Sequence, residues 1–251
     1  MGSLTSSISA FIGALSRRAG DFFIPPLCLV CDGALSDDRS GMGVWLCPSC
    51  ADALLRNHAR RDPCPRCAQN RRVRECACEF AWDFPFERVY CVYDYDETLS
   101  VIAKHIKYHG KSGLASRVGV ISAPLIPSDF FSGIDVVVPV PLHRLKLRRR
   151  GYNQAECFAR GVLAGLGVDA ALLRTNLLTR LRNTETQTRL DKDERRENLA
   201  GAFAAGGKDL TGARVVLVDD VFTTGATTEA CAKALLAAGC ASVAVLAMGR
   251  D

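Results

Sequence analysis

The sequence predicts an α/β protein, a doubly wound and mostly parallel sheet preceded by a small cysteine-rich module. Three observations carry this. Apolar runs at residues 134–140, 215–218 and 242–248 have the length and continuity of strands buried on both faces. Helix-length amphipathic stretches lie between them. Eight of the twelve cysteines fall in pairs within 51 residues near the start. The chain has 251 residues, room for one large domain or a medium and a small one. A net charge of +5 is mildly basic, compatible with phosphate or nucleic-acid partners without demanding them. No apolar run approaches the ~18 residues of a membrane helix.

Residues 1–24 place Leu4, Ile8, Phe11, Ile12, Leu15, Phe22 and Phe23 at helical spacing. Arg17 and Arg18 follow the apolar part, whereas a signal peptide puts charge first. The expectation is an amphipathic helix docked on the rest of the protein. Attachment to a membrane surface is the alternative. Without an export signal, the expected location is the cytoplasm.

Residues 25–85 form the cysteine-rich module. Cys28-x-x-Cys31 is followed by Cys47-x-x-Cys50, then Cys64-x-x-Cys67 and Cys76-x-Cys78. A Cys-x-x-Cys knuckle sets two thiolates on one metal, and two knuckles complete a tetrahedral zinc site. The simple assignment is two structural zinc ions, the first four cysteines and then the last four. Interleaved ligands are the alternative. Disulfides would need an oxidising compartment. Residues 56–74 carry Arg56, Arg60, Arg61, Arg66, Arg71, Arg72 and Arg74 against Asp62. With Trp45 and Trp82 as stacking platforms this suits single-stranded nucleic acid. A solvated surface over two core tryptophans fits equally well.

Residues 86–251 form the second domain. Glu87–Tyr93 reads as a strand. Glu97–Tyr108 reads as a helix with Leu99, Ile102, Ala103 and Ile106 inward, and Lys104, His105, Lys107 and His109 as decoration. The strand at 134–140 ends at Pro139 and Pro141. Five cations follow in residues 144–150. A helix starting around Gly151-Tyr152-Asn153-Gln154 then runs to about Leu166. Strand end, dense positive charge and helix N-terminus together suit a pyrophosphate. A basic surface loop is the plainer reading. Residues 180–198 are charge-dense, with little apolar periodicity. Cys91, Cys157, Cys231 and Cys240 sit singly among apolar residues and read as core filler.

The most specific stretch is Arg214 to Thr228. After the strand Val215–Val218 come Asp219 and Asp220, then the small-residue turn Thr223, Thr224, Gly225, Ala226, Thr227. A helix is expected from about Glu229 to Ala238, closed by Gly239. Small residues let backbone N–H groups approach an anion, and the helix start adds partial positive charge. Adjacent carboxylates suit a vicinal diol or a hydrated Mg²⁺. Phosphate and diol one loop apart describe ribose 5-phosphate. Neither a Walker loop nor a dinucleotide fingerprint is present. A capped helix after two solvated aspartates is the plain alternative.

This stretch resembles the signature of the type I phosphoribosyltransferases. The resemblance implies that Asp219 and Asp220 hold the ribose hydroxyls of phosphoribosyl pyrophosphate (PRPP) with its Mg²⁺. It further implies that Thr223, Thr224, Gly225, Ala226 and Thr227 hold the 5-phosphate. A second segment resembles the ComF family: Val138-Pro139-Val140-Pro141-Leu142, then Arg149-Arg150-Gly151-Tyr152-Asn153-Gln154. Members of that family join a double zinc ribbon to a type I phosphoribosyltransferase-like domain, and the resemblance spans nearly all of residues 25–250. It implies PRPP contacts at Pro141, Arg149, Arg150, Gly151, Asn153 and Gln154. It also implies a mobile lid carrying Gln187, Arg195 and Asn198, with Arg195 joining Asp219 and Asp220 in catalysis. Natural competence, incoming single-stranded DNA, and recombination or DNA-uptake proteins as partners are implied by the family alone. The acceptor is not legible, and a non-catalytic PRPP-binding scaffold stands beside the enzyme.

Overall fold

The computed structural model describes residues 26–35, 45–76, 84–183, 199–207 and 210–251. The expected helix over residues 1–24, Cys78, Trp82, Gln187, Arg195 and Asn198 lie outside the described residues. By its contacts the chain divides into two compact units, residues 1–52 and 53–251. No helix among the described residues is long and apolar enough to cross a membrane.

In chain order the regular elements are α1 (Pro48–Ala59), β1 (Arg88–Asp94), α2 (Glu97–Tyr108), α3 (Ser112–Ser122), β2 (Val136–Pro139), α4 (Arg144–Arg150) and α5 (Gln154–Leu166). Then come β3 (Leu178–Arg180), β4 (Phe203–Ala205), β5 (Arg214–Phe222), α6 (Ala226–Ala237) and β6 (Ser242–Arg250). Four strands form a parallel sheet in the order β1-β6-β5-β2. Parallel neighbours need crossovers, and the helices supply them. Strands β3 and β4 form a separate antiparallel pair. The sheet is buried on both faces: all four residues of β2 and seven consecutive residues of β6 are buried. That burial is why the strands read as unbroken apolar runs.

Helix α2 matches its expected limits, and its predicted inner face is buried. Asp96 caps it, accepting from Leu99 N at 2.8 Å. Strand β5 runs past the expected Val218 to Phe222 because β6 pairs with it as far as Phe222–Arg250. Helix α6 starts at Ala226, three residues earlier than expected. The basic run at 144–150 is a short helix rather than a turn. His143 Nδ1 accepts from Leu145 N at its start, and Gly151 closes it in the left-handed conformation. Helices α1 and α3 and the β3–β4 pair were not foreseen.

Helices α3 and α5 touch through their backbones. A Cβ on Gly161 would lie 1.9 Å from Ser116 O, and one on Gly119 would lie 2.3 Å from Phe158 O. Gly161→Ala must push the helices apart, at a cost of about 1–3 kcal/mol. Thermal unfolding should start several degrees lower than in the wild type. An unchanged melting curve would mean that the helices are further apart in solution.

Candidate functional site

Strands β2 and β5 lie side by side, with Pro139 opposite Val218. Val140 N donates to Val218 O at 2.8 Å, so the segments leaving both strands emerge at one edge of the sheet. Open α/β sheets bind ligands at such carboxyl ends. Asp219 and Asp220 sit there, each only 7% exposed. Lys107 of α2 brings its Nζ within 2.9 Å of Asp220 Oδ2. Asp219 Oδ1 accepts from the Asp220 N–H at 2.8 Å. The charge of Asp219 also acts on Arg180 of β3.

The pair is electrostatically unequal. Burial, then the charge of Asp220, pushes the Asp219 carboxyl well above the ordinary range. Burial acts on Asp220 too, but the Lys107 ammonium outweighs it and holds that carboxyl below its usual value. Lys107 is raised in turn: burial opposes its charge, and Asp220 more than compensates. The site is thus poised around one firmly ionised carboxylate and one that ionises with difficulty. Carboxylate oxygens at a strand end can ligate a hard cation or accept hydrogen bonds from a ribose diol.

The turn after β5 is shaped by Gly225, whose φ is +80°. A Cβ there would approach both Phe222 and Phe84 to 2.8 Å. Left-handed backbone and close rings both call for glycine. Thr224 Oγ1 accepts from Ala226 N at 3.4 Å, and Thr228 Oγ1 donates to Gly225 O at 2.9 Å. The N–H groups at the start of α6 have no carbonyl within the helix to bond, and they carry the positive end of its dipole. Thr223 is exposed, with Thr224 and Thr227 half-buried, so their hydroxyls are within reach of a ligand.

The other expected segment leaves β2. Asn153 caps α5 through Oδ1, which accepts from Ala155 N at 3.0 Å, and its Nδ2 donates to Val140 O at 2.9 Å. That ties the start of α5 to the end of β2. Arg150 hydrogen-bonds Gln154, while Arg148, Arg149 and Gly151 are exposed. Beside this segment lies a cavity of about 550 Å³, with Pro141, His143, Arg144, Asn153, Thr179 and Arg180 in its wall.

Of the three described Cys-x-x-Cys pairs, Cys28–Cys31 and Cys64–Cys67 share one backbone design, while Cys47–Cys50 opens α1. Cys28 N donates to Gly33 O and Asp32 N to Cys28 O; Cys64 N donates to Gln69 O and Ala68 N to Cys64 O. Asp32 and Ala68 both have φ near +55°. Isolated bridges, Leu27–Ala34 and Pro63–Asn70, flank them identically. The Sγ atoms of Cys28, Cys31, Cys47 and Cys50 all lie within 4.8 Å of one another, as do those of Cys64, Cys67 and Cys76. Cys31 and Cys47 are 3.7 Å apart, near the ~3.8 Å edge of a Zn–S tetrahedron and far beyond a disulfide. Both clusters can hold zinc. Cys91, Cys231 and Cys240 are buried in the core as expected, and Cys157 is half-buried.

No family model matches the chain. A DNA utilization protein YhgH from Escherichia coli O157:H7 is 30% identical over 228 residues, covering 89% of this chain and 90% of its own. Competence protein ComFC of Bacillus subtilis is 26% identical over 250 residues, 90% of this chain and 95% of its own. Competence protein F of Haemophilus influenzae is 35% identical over 118 residues, 46% of this chain and 50% of its own. The chain belongs to the ComF family.

Three residues at the site of this ComF-family chain escaped the sequence reading: Lys107, Arg180 and Arg250. By sequence Lys107 reads as surface decoration. It follows the buried Ile106 and lies four residues after the buried Ala103, at the border of the apolar stripe, and that position was the available signal. Arg180 lies over the Phe203 ring, 5.3 Å from its centroid, a pairing across β3 and β4 that no local pattern reveals. Arg250 ends β6 and reaches the turn after β5.

Proposed function

We propose that this ComF-family chain binds Mg²⁺-PRPP at the carboxyl ends of β2 and β5 and transfers its phosphoribosyl group to a nitrogen acceptor. One observation carries the reading: a buried aspartate couple, with Asp220 ion-paired to Lys107, runs directly into a glycine-shaped turn at a helix N-terminus. Asp219 and Asp220 hold the ribose hydroxyls. Thr223 to Thr227 hold the 5-phosphate. Pro141, Arg149, Arg150, Gly151, Asn153 and Gln154 form the pyrophosphate side, with Arg195 brought in by the lid. Bound Mg²⁺, held by the aspartates and the ligand, would supply positive charge against the pyrophosphate. The chain's own arginines offset the charge that grows on the leaving group. Lys107 keeps Asp220 ionised and so keeps an acceptor for a ribose hydroxyl. Purified protein given Mg²⁺-PRPP and a panel of nitrogen acceptors should release pyrophosphate with at least one of them. No release across bases, amines and nucleosides, with PRPP bound, would leave a PRPP-binding scaffold.

A second reading rests on the arginines and on relatives named for DNA utilization and competence. Arg72 and Arg74 are exposed, and Arg71 is half-engaged with Asp62 at 2.9 Å. Arg61 drops out of that set, because its guanidinium is buried against Asp94. Replacing Arg71, Arg72 and Arg74 by Ala should flatten the salt dependence of single-stranded DNA binding by about two log units per log unit of salt. Arg148→Ala with Arg149→Ala should weaken PRPP and leave that slope nearly intact. Equal loss of DNA affinity from both variants would mean one continuous basic groove. No DNA binding by the wild type at ~50 mM salt would remove this reading.

A further inference from the structure

One side chain touches both the Cys64–Cys67 knuckle and the turn that opens α6. Arg250 Nε donates to the Cys67 carbonyl at 3.0 Å. Its Nη1 donates to the carbonyls of Thr223 at 2.8 Å and Phe222 at 3.3 Å. The guanidinium lies 5.4 Å from the centroid of the Phe222 ring. A peptide unit is planar, with its C=O and N–H pointing opposite ways. Fixing the carbonyls of Phe222 and Thr223 toward Arg250 therefore aims the N–H groups of Thr223 and Thr224 away from it.

An apolar contact makes the same connection independently. Phe84 packs against Cys64 and Cys67. It stacks on Phe86 at 4.6 Å and meets Phe222 edge-on at 6.1 Å. The same ring fills the space beside Gly225. The knuckle is also anchored on β1. Arg61 donates to Ala68 O at 2.7 Å and to Asp94 at 2.8 Å, while Asn70 Nδ2 reaches Asp94 at 2.6 Å. A knuckle fastened to β1 and gripping the turn through two side chains can hold that turn in place.

We propose that Arg250, assisted by Phe84, is a positioning residue through which the Cys64–Cys67 knuckle sets the geometry of the Thr223–Thr227 turn. Metal at the knuckle and phosphate at the turn then raise each other's affinity. This rests on reading the turn as a phosphate site. Such coupling is reciprocal, so Mg²⁺-PRPP should lower the fraction of zinc lost to a competing chelator at equilibrium just as zinc tightens PRPP.

Calorimetry with Mg²⁺-PRPP on the full chain tests it. Cys64→Ser and Arg250→Gln should each weaken binding about 5- to 50-fold. The double variant should be no weaker than the worse single one, because both break one connection. Arg250→Lys should recover part of the loss, and Phe84→Leu should weaken binding with all ligand thiols intact. Arg250→Gln should keep its zinc content yet lose the protection that PRPP gives against chelator. Wild-type binding with multiplying losses, or with none, overturns the proposal. Hydrogen exchange of the peptide 222–228, without ligand, separates this from failure of the phosphate reading. Faster exchange in Arg250→Gln supports the link even if PRPP does not bind, and unchanged exchange overturns it.

Discussion

Asp219→Asn combined with Asp220→Asn should disrupt the proposed Mg²⁺-PRPP binding, with affinity falling about a hundredfold, while the far-UV spectrum should stay that of a folded chain. The magnitude follows from one charge-assisted hydrogen bond at Asp220, roughly 1.5–3 kcal/mol, and a weaker one at Asp219, about 1 kcal/mol. Survival of the fold follows from their place, at the end of β5 beyond its apolar run. Unchanged affinity in the double variant would make the pair a relic. The single variants should differ in stability. Asp219 is raised in the folded chain, so its ionisation costs stability as pH rises past the ordinary carboxylate range. Asp219→Asn should therefore raise the melting temperature at neutral pH, and the gain should vanish as pH falls to the ordinary carboxylate range. Asp220 is depressed, so its contribution is present above the usual value and lost as pH falls through the folded one. Asp220→Asn strands Lys107 and should cost about 1–3 kcal/mol at neutral pH. Equal effects from the two single variants would contradict the unequal pair.

Chain purified without chelator should carry about two zinc ions, and Cys47→Ser should reduce this to about one. Where thiolates and metal complete a small module, binding free energy is folding free energy. Cys47→Ser should therefore expose residues 26–35 to proteolysis rather than merely change an activity. The second cluster has three described cysteines, and the proposed fourth ligand is Cys78, which lies outside the described residues. Cys78→Ser should lose one zinc and leave the other, whereas Cys91→Ser, at a buried core thiol, should lose none. A metal-free chain with both knuckles intact and folded would contradict the assignment.

Much of this was legible because the signals are local. Val215 to Thr228 carries strand, carboxylates and turn in one string, and the knuckles announce themselves by spacing. The inner face of α2 followed from periodicity alone. What was not legible depends on pairing across distance. Lys107 reads as solvent decoration until α2 packs beside the end of β5. Strand β5 outran its apolar run because β6 extends alongside it. The 144–150 run reads as a loop by charge, but its caps, His143 and Gly151, make it a helix. The grip of Arg250 on Cys67 joins residues 183 positions apart, beyond any sequence window.

The most direct measurement is a calorimetric titration of Mg²⁺-PRPP into the wild-type, zinc-replete chain. A PRPP site in this chain requires one binding event per chain with a dissociation constant in the range of about 1–100 μM, and much weaker binding of ribose 5-phosphate, which lacks the pyrophosphate. Absence of binding up to about 1 mM by a folded, metal-loaded chain would contradict it.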